Sequence, residues 1–210
     1  MKSIAVFGGS FDPPHLGHLH TALTIQNTFN FTRFLFMPCK NPVLKGASKA
    51  NPQQRIKMLE LLLAAYPFFE IDHREILREA PSYTVNTLES IREEVGDRSI
   101  CFIMGWDAFR QLPQWHRWEK ILTLCNILVM KRGKEDKKLP KEVDLLLSEY
   151  QAFTAENFKN NCCGNIILFD AGDYPVSSTI IRERIKAGKD VNNYLTDSVA
   201  EFIKQQELYR

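Results

Sequence analysis

Short apolar runs alternate with segments of helical periodicity along the whole chain. Ile4 to Phe7, Phe34 to Met37, Phe68 to Ile71, Ser99 to Met104, Ile127 to Met130 and Ile166 to Phe169 read as strands. Between the first two, Leu16, Leu19, Leu23 and Phe29, with Ala22 among them, recur at helical spacing. Asn51 and Pro52 open a second helix, the Asn as cap and the Pro in its first turn, with Ile56, Leu59, Leu62 and Leu63 as its stripe. Ser82 to Val95 carries Val85, Leu88 and Ile91 on one face; Trp115 to Leu124, Ser178 to Lys186 and Asp197 to Gln206 also read as helical. Strands that are apolar throughout have no face to give to water, so both sides of their sheet must be covered. The alternation therefore predicts an α/β fold: a doubly wound parallel sheet with helices on both faces and a C-terminal helical segment. Ligands of such sheets bind beyond the carboxyl ends of the strands.

The 210 residues suit one domain, with about 133–165 interrupting the alternation as a surface insert. The formal net charge of +2 is too mild to argue for nucleic acid. It suits an acidic small molecule met in one local basic pocket. The five cysteines include no C-x-x-C pair and read as reduced thiols of a cytoplasmic protein. No apolar run approaches the roughly 18 residues of a membrane span, and no signal peptide is legible. A homo-oligomer is left open.

Gly8, Gly9 and Ser10 follow the first strand directly, where glycines let a backbone approach a phosphate closely. The loop is neither a G-x-x-x-x-G-K-[ST] nor a G-x-G-x-x-G motif. His15 and His18, three apart, would share one face of a helix, with Gly17 keeping the approach open. Such imidazoles could stabilise charge developing on a phosphoryl group. A zinc site with His20, and plain capping or core histidines, are the competing readings. Far along the chain, Ser177, Ser178 and Thr179 begin another helix, and Arg182 adds a cation one turn later. Capping hydroxyls, open N–H groups and a guanidinium suit phosphate, although an ordinary capped helix would look the same.

Gly8 to His18 resembles the G-x-F-x-P-x-H-x-G-H signature of the adenylyl- and cytidylyltransferase superfamily, with Gly9, Phe11, Pro13, His15, Gly17 and His18 all matching. Val176 to Arg182 resembles its I-S-S-T-x-I-R motif, with Val176 in place of Ile. The resemblance implies a Rossmann-like fold. It implies ATP contacts by Gly8, Gly9, Ser10, Phe11, His15, His18, Gly105, Asp107, Ser177, Ser178, Thr179 and Arg182. It gives His15, His18 and Arg182 the catalytic roles. Mg²⁺ would accompany ATP and bridge its phosphates, without a protein metal site.

The middle of the chain narrows this to a resemblance to the nicotinate mononucleotide adenylyltransferases. Ser82 to Leu88 looks like S-Y-T-V-D-T-L, with Asn86 where Asp is usual; Gly105 to Ala108 resembles G-x-D-A; Leu112 to Trp118 resembles L-x-x-W-x-x-W. Pro38 to Lys45 resembles P-x-x-x-P-P-H-K, with Val43 and Leu44 replacing Pro and His, and Leu208-Tyr209 suits the family's ending. The implied reaction passes the adenylyl group of ATP to nicotinate mononucleotide, giving deamido-NAD and pyrophosphate. Lys45, Thr84, Trp115 and His116 would hold the mononucleotide, Trp115 stacking on the flat ring. The rivals are another transferase of the superfamily, such as a pantetheine-phosphate adenylyltransferase or a cytidylyltransferase, and a non-catalytic nucleotide-binding regulator.

Overall fold

The computed structural model describes residues 3–40, 48–79, 81–131, 139–172 and 174–210. The strands are β1 (Ser3–Gly9), β2 (Arg33–Pro38), β3 (Phe69–Ile71), β4 (Ser99–Gly105), β5 (Asn126–Lys131) and β6 (Ile166–Asp170). The helices are α1 (Leu16–Phe29), α2 (Pro52–Leu63), α3 (Arg74–Leu77), α4 (Thr84–Val95), α5 (Trp106–Arg110), α6 (Ile121–Leu124), α7 (Lys141–Tyr150), α8 (Ala155–Asn160), α9 (Ser178–Lys186) and α10 (Asp197–Gln205). Every strand pairing is parallel, in the order β3-β2-β1-β4-β5-β6. The chain winds outward from β1 to β3, then returns to β4 beside β1 and winds the other way. The carboxyl ends of β1 and β4 thus flank the switch point, where the sheet opens a crevice.

Side chains of a strand alternate between faces, and β1 shows how this builds two cores. Ala5 and Phe7 point into a core shared with Leu19, Ile25, Leu59, Ile181 and Val199. Ile4 and Val6 point into the other, with Val85, Leu88, Ile91 and Phe109. Both faces are covered, as the uninterrupted apolar strands require. No described helix is long and apolar enough to cross a membrane.

Three local expectations change. The stretch Trp115 to Leu124 is not one helix: short 3₁₀ turns at Leu112–Gln114 and Trp118–Lys120 precede α6, and Arg117 between them has φ 51°. Tertiary packing of Leu112 and Ile121 holds this broken path. The stripe of α2 is Arg55, Met58, Leu59, Leu62 and Leu63, while Ile56 is only half-buried. The segment read as a surface insert reaches inward from residue 139 on. Val143 and Leu147 enter one core, Phe158 enters the other, and Cys162 accepts from Ile100 N–H and Arg92.

Candidate active site

β1 ends at Gly8 and Gly9, and the chain turns through a tight loop into α1. A Cβ on Gly9 would lie 3.0–3.2 Å from the Phe11 ring, so the buried Phe11, itself at φ 48°, explains the second glycine. Phe11 packs edge-on against Phe7 at 5.8 Å and against His18 at 5.0 Å. The Asp12–Pro13 peptide is cis.

His15 is the N-cap of α1, in extended conformation at φ −149°, and does not sit on the helix as the spacing alone suggests. His18 N–H donates to His15 Nδ1 at 3.3 Å, and His15 N–H donates to His18 Nδ1 at 3.2 Å. This is a reciprocal capping box in which imidazoles replace the usual hydroxyl and carboxamide. The rings stack at 3.7 Å and 29°. An Nδ1 that accepts carries no proton, so each neutral ring keeps its proton on Nε2 as a donor. His15 is 2% exposed. His20 does not converge with the pair: it is exposed and lies 5.0 Å from the Tyr174 ring.

The Ser177 to Arg182 segment docks on this loop. Ser178 Oγ donates to the Pro13 carbonyl at 2.9 Å, and Arg182 Nη1 donates to the Asp12 carbonyl at 2.7 Å. Arg182 Nη2 reaches Thr179 Oγ1 at 3.1 Å, and Ser177 caps α9 by accepting from Ile180 N–H at 3.2 Å. Two of the five guanidinium donors are thus engaged in building the site itself. Gly17 has a packing use that its spacing does not reveal. A Cβ there would lie 2.6 Å from Val176 Cγ1, so the glycine admits the residue that leads into α9.

On the other side of β1, Gly105 ends β4 as the N-cap of α5, with Asp107 exposed in its first turn. A Cβ on Gly8 would meet Phe102 at 3.3 Å, and Phe102 packs edge-on against Trp115 at 6.2 Å. The Trp115 indole N–H is buried without a hydrogen-bond partner among the described residues. A buried donor in that condition costs roughly 1–3 kcal/mol, which an acceptor brought by a ligand would recover. His116 packs against Tyr83 with ring centroids 4.4 Å apart and a tilt of 34°, so the start of α4, where Thr84 is the first helical residue, meets the Trp115 segment. Lys45, Val43 and Leu44 lie outside the described residues.

A small cavity of about 10 Å³, lined by Gly17, Thr21, Met130, Lys131 and Tyr174 among others, lies past the ends of β5 and β6. A larger groove of about 320 Å³ lies at the far end of α1, lined by Phe29, Phe153 and Phe169 and by no titratable side chain. The titratable side chains described above lie at the histidine end. Sequence reasoning missed Asp12 and Arg55. Arg55 is fully buried; its Nη1 donates to the carbonyls of Ser10 and Cys39, both at 2.7 Å. The available signal was an Arg at helical spacing with Leu59 and Leu62, on a stripe facing the core.

The cytidylyltransferase-like family profile matches residues 6–184. A probable nicotinate-nucleotide adenylyltransferase of Legionella pneumophila (strain Lens) is 48% identical, covering 100% of both chains. One of Methylococcus capsulatus is 37% identical over 98% of this chain and 99% of its own. Among solved structures, the Plasmodium falciparum nicotinic acid mononucleotide adenylyltransferase complexed with NaAD superposes with a TM-score of 0.76. That match covers 100% of this chain and 98% of the other at 17% identity, and it speaks to the fold. The chain belongs to the cytidylyltransferase-like family and, within it, to the nicotinate-nucleotide adenylyltransferases.

Proposed function

We propose that the protein transfers the adenylyl group of ATP to nicotinate mononucleotide, releasing deamido-NAD and pyrophosphate, as a cytoplasmic enzyme of NAD biosynthesis. The observation that carries this reading is the meeting of two phosphate motifs: Ser178 and Arg182 are bonded to the loop that ends in the His15–His18 pair. The curated relatives' names point to the same acceptor.

The mononucleotide phosphate attacks the α-phosphorus of ATP in line, without a covalent enzyme intermediate. A phosphate monoester is already an anionic nucleophile, so no general base is needed, and catalysis is positioning plus charge stabilisation. In this reading Gly8, Gly9, Ser10 and Phe11 line the triphosphate path. The Nε2 donors of His15 and His18 stabilise the α- and β-phosphates. Ser177, Ser178, Thr179, Arg182 and the N-terminus of α9 receive the pyrophosphate. Gly105 and Asp107 face the nucleoside. Trp115 takes the pyridine ring, while Thr84, His116 and the start of α4 hold its carboxylate, and Lys45 meets the mononucleotide phosphate. The donors around the loop are imidazole, hydroxyl and guanidinium, and among the described residues no three His, Cys, Asp or Glu side chains converge as metal ligands. Mg²⁺ bound together with ATP would supply charge neutralisation on the phosphates. ATP and nicotinate mononucleotide are the partners in this reading, which is compatible with a homo-oligomer.

A pyrophosphate-release assay with several acceptors, using ATP and CTP, tests the reading. ATP with nicotinate mononucleotide is expected to give the highest kcat/KM. Nicotinamide mononucleotide should be roughly 10- to 100-fold poorer, the worth of one charge-assisted hydrogen bond. Preference for pantetheine phosphate or for CTP would move the protein to another branch of the family, and ATP binding without any turnover would make it a regulator.

A further inference from the structure

Beyond α10 the chain doubles back. Glu207 and Tyr209 both hold left-handed backbone, at φ 52° and 65°. Such conformations cost an ordinary residue roughly 1–2 kcal/mol each and persist where other contacts demand them. Here the turn returns the Tyr209 phenol to the carboxyl edge of the sheet, where its Oη donates to Asp12 Oδ1 at 2.7 Å. Burial and the neighbouring carboxylate both hold this phenol above its ordinary pKa range, so it stays a donor at every working pH.

Asp12 is 4% exposed and fully engaged. Its Oδ2 accepts from Lys49 N–H at 2.7 Å, and its Oδ1 also accepts from Ala50 N–H at 3.0 Å. Its main-chain carbonyl accepts from Arg182. One residue thus joins the first loop, the approach to α2, helix α9 and the segment after α10. It stands three positions before His15, within a loop whose Ser10 carbonyl is pinned by Arg55.

We propose that Tyr209 is a positioning residue for adenylyl transfer: acting through Asp12, it holds the His15–His18 pair in register with Ser178 and Arg182. This rests on the adenylyl-transfer reading. Groups that work by position lose rate when displaced by a fraction of an ångström, while ground-state binding survives.

The test is Tyr209→Phe, which deletes one hydroxyl and keeps the ring, with Tyr209→Leu as the companion that deletes both. Steady-state rates with ATP and nicotinate mononucleotide are taken well below each melting midpoint, and the imidazole ¹H–¹⁵N signals of His15 and His18 are recorded. The Phe variant is expected to lose about tenfold in kcat, the effect of a small misplacement. Its KM values should stay within about twofold and its histidine signals should move. The Leu variant should match that kcat loss, whatever its melting temperature, because the hydroxyl is the shared deletion. A folded Phe variant with wild-type kcat and unmoved histidine signals overturns the proposal, as does a change confined to KM. Wild-type protein that turns over no mononucleotide would sink the parent reading instead, and moved histidine signals in the Phe variant would then still place Tyr209 as the loop's anchor.

Discussion

Two imidazoles that cap one another are an unusual way to start a helix. Each Nδ1 is occupied by a main-chain N–H, which fixes ring orientation and leaves Nε2 as the donor. In the proposed mechanism, positioning and chemistry thus fall on different nitrogens of the same side chain. His18→Ala is expected to lower kcat by about 10²–10³, typical of removing one charge-stabilising donor. The Kd for ATP, from titration calorimetry, should shift by less than about fivefold, since other groups hold the triphosphate. The lost cap costs about 1 kcal/mol of stability, so thermal melting separates it from the rate effect. Unchanged pyrophosphate release would remove His18 from the mechanism.

At the scale of elements, helices near the crevice are placed by polar contacts as much as by apolar stripes. Arg55 ties α2 to the loops after β1 and β2. The start of α4 is braced from beneath by Glu75 of α3, which accepts from Thr87 Oγ1 at 2.8 Å. Burial raises the Glu75 pKa, and the Thr87 hydroxyl and Arg78 oppose this only in part. A raised folded-state pKa means that the neutral carboxyl is the favoured guest. Its contribution is full below the ordinary carboxylate range and is lost as pH rises through the raised value. Glu75→Gln keeps the acceptor for Thr87 and cannot ionise. It should therefore raise the melting temperature at pH 7–8, with the gap to wild type closing as pH falls into the ordinary carboxylate range. Melting curves across that window check the sign, and a gap that widens on acidification would refute it.

At the scale of the molecule, the site exists because distant parts of the chain meet beside β1. Gly17 and Val176 meet closely there, a Cβ on Gly17 falling 2.6 Å from Val176 Cγ1. Gly17→Ala should destabilise by about 1–3 kcal/mol through overpacking. Adding Val176→Ala should recover most of it, a coupling that independent sites would not show. Urea denaturation of the two single variants and the double variant measures this, and simple additivity would mean that Val176 is not what the glycine admits. Much of this architecture was legible in the sequence. Strand and helix periods, the Asn51 cap and both phosphate motifs are written within a few neighbouring residues, and so is the parallel sheet that uninterrupted apolar strands imply. Other features were not legible: the break of the Trp115 stretch into 3₁₀ turns, His15 standing outside its helix, the inward packing of Val143, Leu147 and Phe158, and the partners of Arg55 and Tyr209. Hydrophobic periodicity is a local property, so the sequence alone determined most of the segments that form elements and which residues were candidates to meet phosphate. Which donor meets which acceptor is decided across separations such as the 197 positions between Asp12 and Tyr209. Burial removes water as the alternative partner, and only the closed fold supplies the replacement.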